Sequence, residues 1–279
     1  LLTETEKWHF DLQGYLHIPG VVAPEALAHM TALCEEWHAL ADDALPPPLA
    51  TYRDANTKPT AARAIMHTEY GDPVFQDLAL NLVIMRRVLP LTGYCPQLLN
   101  VAITRNTTDH DAIPFHSGFT GGIRNPANDY QAANGEVFAT FLNAAVSLVD
   151  VPPGNGFVCI PGSHKSNFIR PDHVTIDSDP PLVVNVPIKA GDCVLFTEAL
   201  CHGGRKWTLD TPRRTVFVRY ATSYAAWSPG HAVIEAHQDK LTPELQELSA
   251  MSPWSHRKQV VNRLLKDLGT PEPEGYFEG

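Results

Sequence analysis

Between about residue 98 and residue 221 the chain breaks into short β-prone runs, and this rhythm limits the folds open to it. The runs are Leu99–Thr104, Val137–Val151, Phe157–Ile160, Leu182–Val186, Asp192–Phe196 and Thr215–Ala221, parted by Gly- and Pro-bearing turns. Short strands at such spacing specify a sandwich or barrel. Helical patterns flank them. Thr3-Glu4-Thr5-Glu6 has capping-box spacing and opens a helix that should end near Gly14, followed by a strand at Tyr15–Ile18. Pro24 fits the first turn of a second helix, whose apolar stripe runs Leu27, Met30, Leu33, Trp37 and Leu40. Ala44–Pro59 reads as a loop, and Asp72-Pro73 starts a helix carrying Val74, Leu78, Leu82 and Met85 on one side. Further helices are expected near Pro243–Ser249 and Ser255–Leu268. One domain over 1–279 is expected: a helical part to about 97, a β core over about 98–222 and C-terminal helices over about 240–270.

Composition narrows the function classes. The net charge of −10 disfavours a nucleic-acid-coating protein or a binder of anionic membranes, and would not help docking to an acidic carrier protein. Five cysteines, an odd number with no C-x-x-C, speak against a disulfide framework and a cysteine zinc site, so a reducing cytoplasm is expected. No apolar run reaches the roughly 18 residues of a membrane helix. The expected partner is a small-molecule substrate; the sequence leaves the oligomeric state open.

Three residues suggest chemistry. His116 lies in Pro114-Phe115-His116-Ser117-Gly118-Phe119, and His202 in Ala199-Leu200-Cys201-His202-Gly203-Gly204. Arg213 follows at the head of a strand-like run. Two histidines and one carboxylate, with open positions opposite, form the usual oxygen-activating site of non-haem Fe(II). A buried arginine could hold a cosubstrate carboxylate through two parallel charge-assisted hydrogen bonds. Alone, each histidine reads as a core or turn residue, and Arg213 as a surface arginine. Cys201 should point to the opposite face of its strand as a packed thiol.

Longer segments add a resemblance. Asn155-Gly156-Phe157-Val158-Cys159-Ile160-Pro161-Gly162-Ser163-His164-Lys165 resembles the N-G-x-x-x-x-I-P-G-S-H-K segment of the phytanoyl-CoA dioxygenase-like Fe(II)/2-oxoglutarate oxygenases. Ala190-Gly191-Asp192-Cys193-Val194-Leu195-Phe196 with His202-Gly203 resembles that family's A-G-D-x-x-x-F…H-G, and the H-x₁₀-R spacing to Arg213 its 2-oxoglutarate arginine. Trp8-His9-Phe10-Asp11 through Gly14-Tyr15-Leu16 resembles its opening helix and strand. The resemblance implies a mainly β fold with added helices, built on a double-stranded β-helix (jelly-roll, cupin-like) core. It also implies Fe(II) on His116 and His202, 2-oxoglutarate on Arg213, and O₂ as oxidant.

The departure is Gly118, which stands where the family's H-x-D has its carboxylate. Three readings stay open. In the first, the carboxylate comes from elsewhere, although the other H-x-D/E matches, His9/Asp11, His67/Glu69 and His237/Asp239, sit outside the expected register. In the second, the site has become a non-catalytic binding module. Or glycine leaves room for chloride, as in the iron-dependent halogenases that the chain resembles here, some acting on adenine nucleotides. That third reading is the leading expectation. It makes Gly118 the halide site and the reaction 2-oxoglutarate, O₂, chloride and R–H going to succinate, CO₂ and R–Cl, on a free small metabolite such as an adenine nucleotide, in secondary metabolism or antibiotic biosynthesis. Hydroxylation is the alternative. Arg105, Arg124, Phe119 and Trp207 are candidate substrate contacts, with Lys165, Arg205 and Lys206 as further cations.

Overall fold

The β-prone runs pair into two antiparallel sheets in the computed structural model, which describes residues 1–52, 58, 60–117, 128–225 and 234–271. The strands are β1 (Tyr15–Ile18), β2 (Ala50–Tyr52), β3 (Ala64–Met66), β4 (Pro96–Asn106), β5 (Ile113–His116), β6 (Tyr130–Ala133), β7 (Glu136–Ala139), β8 (Phe141–Ser147), β9 (Gly156–Cys159), β10 (Val184–Asn185), β11 (Cys193–Thr197), β12 (His202–Arg205) and β13 (Arg213–Thr222). The larger sheet has the order β1-β11-β8-β13-β4-β3-β2, the smaller β10-β9-β12-β5, and β6-β7 stand apart as a hairpin. Neighbours distant in sequence, such as β1 beside β11 and β5 beside β12, give the jelly-roll winding.

The helices are α1 (Glu4–Gln13), α2 (Pro24–Ala39), α3 (Pro73–Ala79), α4 (Leu82–Leu91), α5 (Pro243–Ser249) and α6 (Gln259–Asp267). They cover the outer face of the larger sheet. There Leu16, Ile18, Val101, Ile103, Leu142, Val146, Leu195, Val216 and Val218 pack against Met30, Trp37, Phe75 and Leu89. The inner face meets the smaller sheet through Ala145, Val194, Phe196, Phe157 and Cys159. Strand side chains alternate faces, so each central strand of the larger sheet serves both layers.

α1 forms as its sequence dictates. Thr3 accepts from the Glu6 backbone, Glu6 returns the bond to the Thr3 N–H, and Gly14 ends the helix in the left-handed region at φ 81°. The helix expected after Asp72 is two. Asn81 interrupts it, its Oδ1 accepting from the Val83 and Ile84 amides and so capping α4 anew. The Val137–Val151 run divides at Thr140, whose amide donates to Asp129 O at 3.0 Å instead of continuing a ladder. Ala50–Tyr52 is a strand inside the expected loop. All five cysteines are buried and free. Among the described residues no helix is long and apolar enough to cross a membrane.

The A-G-D segment has a structural role. Asp192 is buried and accepts from the Gly20 amide at 2.9 Å, the Lys189 amide at 3.2 Å and His17 Nε2 at 2.8 Å, locking β1 onto β11. Asp192→Ala would strand two backbone amides in a buried turn. It is expected to cost about 1–3 kcal/mol in urea or guanidinium unfolding; an unchanged midpoint would refute this role.

Candidate metal centre

The centre begins with strand register. β12 lies between β9 and β5, and His202 is directly opposite His116. Their ring centroids are 4.2 Å apart. Gly203 permits the approach: a Cβ there would stand 2.6 Å from Ile113 O. Each imidazole is oriented by its own backbone. His202 Nδ1 donates to Leu200 O at 2.8 Å and His116 Nδ1 to Pro114 O at 3.1 Å. That tautomer leaves both Nε2 lone pairs free for a metal. Burial holds the His202 imidazole well below its usual pKa, with Glu198 opposing and His116 reinforcing the effect, so it stays in the neutral, ligating form.

A carboxylate completes the group. Glu198 lies in the turn between β11 and β12, and its ligand atom lies within 4.8 Å of those of both histidines. It is held on both oxygens: Ser117 Oγ donates to Oε1, and Asn143 Nδ2 on β8 donates to Oε2 at 2.6 Å. Ser117 adopts a left-handed backbone, φ 59°, immediately after His116. This is the one His/Cys/Asp/Glu cluster of metal-binding geometry found among the described residues. The H-x-D/E matches do not join it. Asp11 accepts from Tyr130, Glu69 accepts from the Val101 amide, and His237 and Asp239 lie in a separate 3-10 turn.

Arg213 opens β13 and is buried. Burial pushes its guanidinium down to about 10, which leaves it charged at neutral pH. Its Nε and the Thr215 hydroxyl, two residues on and facing the same way, are buried without a hydrogen-bond partner among the described residues. Orphaned buried donors are costly. This pair fits the carboxylate of a ligand lying between the sheets.

The P-G-S-H-K turn braces the centre from behind. Ser163 Oγ accepts from the Cys201 amide at 2.8 Å, and the Ile160 amide donates to Cys201 O at 3.0 Å, fixing the residue before His202. His164 Nε2 donates to Asp11 O at 3.1 Å and Lys165 pairs with Asp11 at 3.0 Å. Gly14 makes room here, since a Cβ would meet His164 Nδ1 at 2.6 Å. His164 is therefore a structural residue, and Cys201 is the buried thiol that the sequence suggested.

The remaining candidates scatter. Gly118, Phe119 and Arg124 lie outside the described residues. Arg105 faces away from Arg213, toward α2, where Glu35 holds it together with Arg214. Trp207 is buried in the inter-sheet core, its Nε1 donating to Thr211 O at 2.7 Å. Arg205 donates to Ile176 O at 3.0 Å, and Lys206 is exposed. Glu198 is the residue that sequence reasoning missed. The available signal was an acid in a stretch whose other positions, Cys193–Thr197 and Ala199–Cys201, are all apolar or small and prove buried.

The family model described as phytanoyl-CoA dioxygenase matches residues 10–215. No curated protein matches the sequence. Among solved structures, HygX from Streptomyces hygroscopicus with nickel and 2-oxoglutarate bound is 23% identical, with TM-score 0.67 over 80% of this chain and 88% of that one. The carbocyclase SnoK from nogalamycin biosynthesis is 22% identical, with TM-score 0.60 over 87% and 92%. AviO1 from Streptomyces viridochromogenes Tue57 is 20% identical, with TM-score 0.57 over 82% and 99%.

The clamp on Glu198 can be tested through metal content alone. Asn143→Ala is expected to weaken Fe(II) binding by about 10- to 100-fold, the usual effect of losing a group that orients a ligand. Glu198→Ala should weaken it further. Equilibrium dialysis under argon reads both, and wild-type affinity in Glu198→Ala would remove the carboxylate from the centre.

Proposed function

Since this chain belongs to the phytanoyl-CoA dioxygenase family, and is an enzyme of the Fe(II)/2-oxoglutarate-dependent oxygenase type, we propose that it oxidises an unactivated C–H bond of a free small metabolite without need of halide. The observation that carries this reading is Glu198 beside His116 and His202. The two Nε2 atoms and the Glu198 carboxylate would hold Fe(II), and Arg213 with the Thr215 hydroxyl would take the distal carboxylate of 2-oxoglutarate. When bound, Fe(II) with 2-oxoglutarate and O₂ supplies the oxidising power, with succinate and CO₂ as by-products. The chain's own contribution is placement and exclusion of water. Phe196 packs 4.6 Å from the His202 ring and Phe157 lies 5.0 Å from Phe196, an apolar wall on the inner side. His116 is exposed, which makes its side of the centre the approach for substrate.

A free natural product is the substrate class that fits the structural relatives. One HygX structure contains hygromycin B, and SnoK takes its description from nogalamycin biosynthesis. Chlorination is the second reading, favoured by Gly118. It requires chloride to sit beside Glu198, where two anions would share one position and repel each other. Glu198 supplies the negative charge that chloride would otherwise bring.

Succinate formation by the Fe(II)-loaded protein, with product mass read on candidate natural products, tests the choice. Turnover is expected to be the same with and without chloride, and Arg213→Gln is expected to lower it by about two orders of magnitude or more, since the cosubstrate would be misplaced. A chlorinated product, or turnover that needs chloride, would overturn the halide-independent reading in favour of the second.

A further inference from the structure

β13 carries a second inward guanidinium. Arg213, Thr215, Phe217 and Arg219 alternate along one face of the strand, and Arg219 is in register with Asn143 on β8 and Asn100 on β4. Asn143 is the residue that holds Glu198, so Arg219 stands one strand from the carboxylate of the metal centre. The backbones of Arg213 and Arg219 are six residues apart, ~20 Å in an extended strand.

Several arginines elsewhere in the fold are neutralised by carboxylates. Arg63 pairs with Asp42, Arg86 and Arg87 with Glu6, and Arg105 and Arg214 with Glu35. Arg219 differs. Among the described residues it makes one hydrogen bond, from Nη1 to Asn100 Oδ1 at 3.0 Å, and no salt bridge. Its guanidinium lies 5.5 Å from the Phe217 ring centroid, which fixes its plane. Burial lowers its pKa, while Glu198 and Tyr52 oppose this from a distance. Asn100 is itself buried, so the donor array is held by a fixed partner.

Charge decides what this cation is for. With Fe(II) and 2-oxoglutarate in place, the described residues of the interior would hold a divalent cation and two guanidiniums against one carboxylate and a dianion. One positive charge is left over, and it belongs to the arginine that the cosubstrate does not engage. An uncompensated charge in a partly desolvated site is costly, and a substrate anion would remove that cost. We infer that Arg219, positioned by Asn100 and Phe217, is a substrate-binding residue that receives an anionic oxygen group, a carboxylate or a phosphate, on the molecule being oxidised. The inference rests on the oxygenase reading above. It makes the substrate an acid and places its anionic group on the β8-β13-β4 wall, away from Arg213. Planar guanidinium and oxyanion match through paired N–H donors, which gives orientation as well as affinity.

Inorganic sulfate serves as the probe, titrated calorimetrically into the anaerobic Fe(II)·2-oxoglutarate protein while the visible charge-transfer band of that complex is followed. Wild type should take up sulfate with the band unchanged. Arg219→Gln should bind sulfate about tenfold more weakly or worse, and Arg219→Lys should fall between wild type and Arg219→Gln, because charge persists while the fork is lost. Affinity for 2-oxoglutarate should be the same in all three. Equal sulfate binding in Arg219→Gln, no uptake by wild type, or a parallel fall in 2-oxoglutarate affinity would each overturn the inference, the last by assigning Arg219 to the cosubstrate. A wild-type protein that forms no Fe(II)·2-oxoglutarate complex fails at the oxygenase reading and takes this one with it.

Discussion

The pairing of β12 with β5 is the interaction on which the centre depends. Register in a strand pair has no partial failure: a slip of one residue would turn His202 out of the interior and present Gly203 in its place. Three features hold the register. β9 pairs with β12 on its other side, Gly203 lets β5 come close, and the P-G-S-H-K turn ties down Cys201. The histidines become a pair through backbone hydrogen bonding, before any ligand is considered.

The two faces of the larger sheet carry different loads. The outer face is apolar and covered by helices, and it supplies most of the burial that holds the fold. The inner face combines an apolar patch with buried polar groups, Asn143, Arg213 and Thr215 among them. Such groups are tolerated where they have partners or where a ligand provides them. Glu198 finds two donors within the chain, while Arg213 and Thr215 find none among the described residues. The same wall therefore contains one preassembled contact and one that awaits completion.

Much of this was legible from residues. The capping box and Gly14 delimit α1 as read, and His116, His202 and Arg213 were found through their spacing and flanking motifs. Glu198 was not, because it belongs to no H-x-D/E pattern: this carboxylate reaches the centre from the strand connection before His202. Proximity across strands leaves no trace in local spacing. β5 and β12 escaped for a related reason: Pro114 in Ile-Pro-Phe-His and the glycine pair in His-Gly-Gly-Arg disfavour a strand, and both owe their conformation to their neighbours. Arg105 looked like a binding cation because strand parity relative to Arg213 is visible only once the strand's ends are known.

The brace behind His202 also binds the metal centre to the start of the chain. Asp11 and Gln13 of α1 hold the turn that holds Cys201: Lys165 and His164 bond to Asp11, and the Gly162 amide to Gln13 O. Helix termini are where local opening is cheapest. Fraying of α1 would therefore reach the centre long before global unfolding, loosening His202 while the sheets remain intact. The lifetime of a metal in this protein would then be set by a ten-residue surface helix, not by the β core that supplies its ligands.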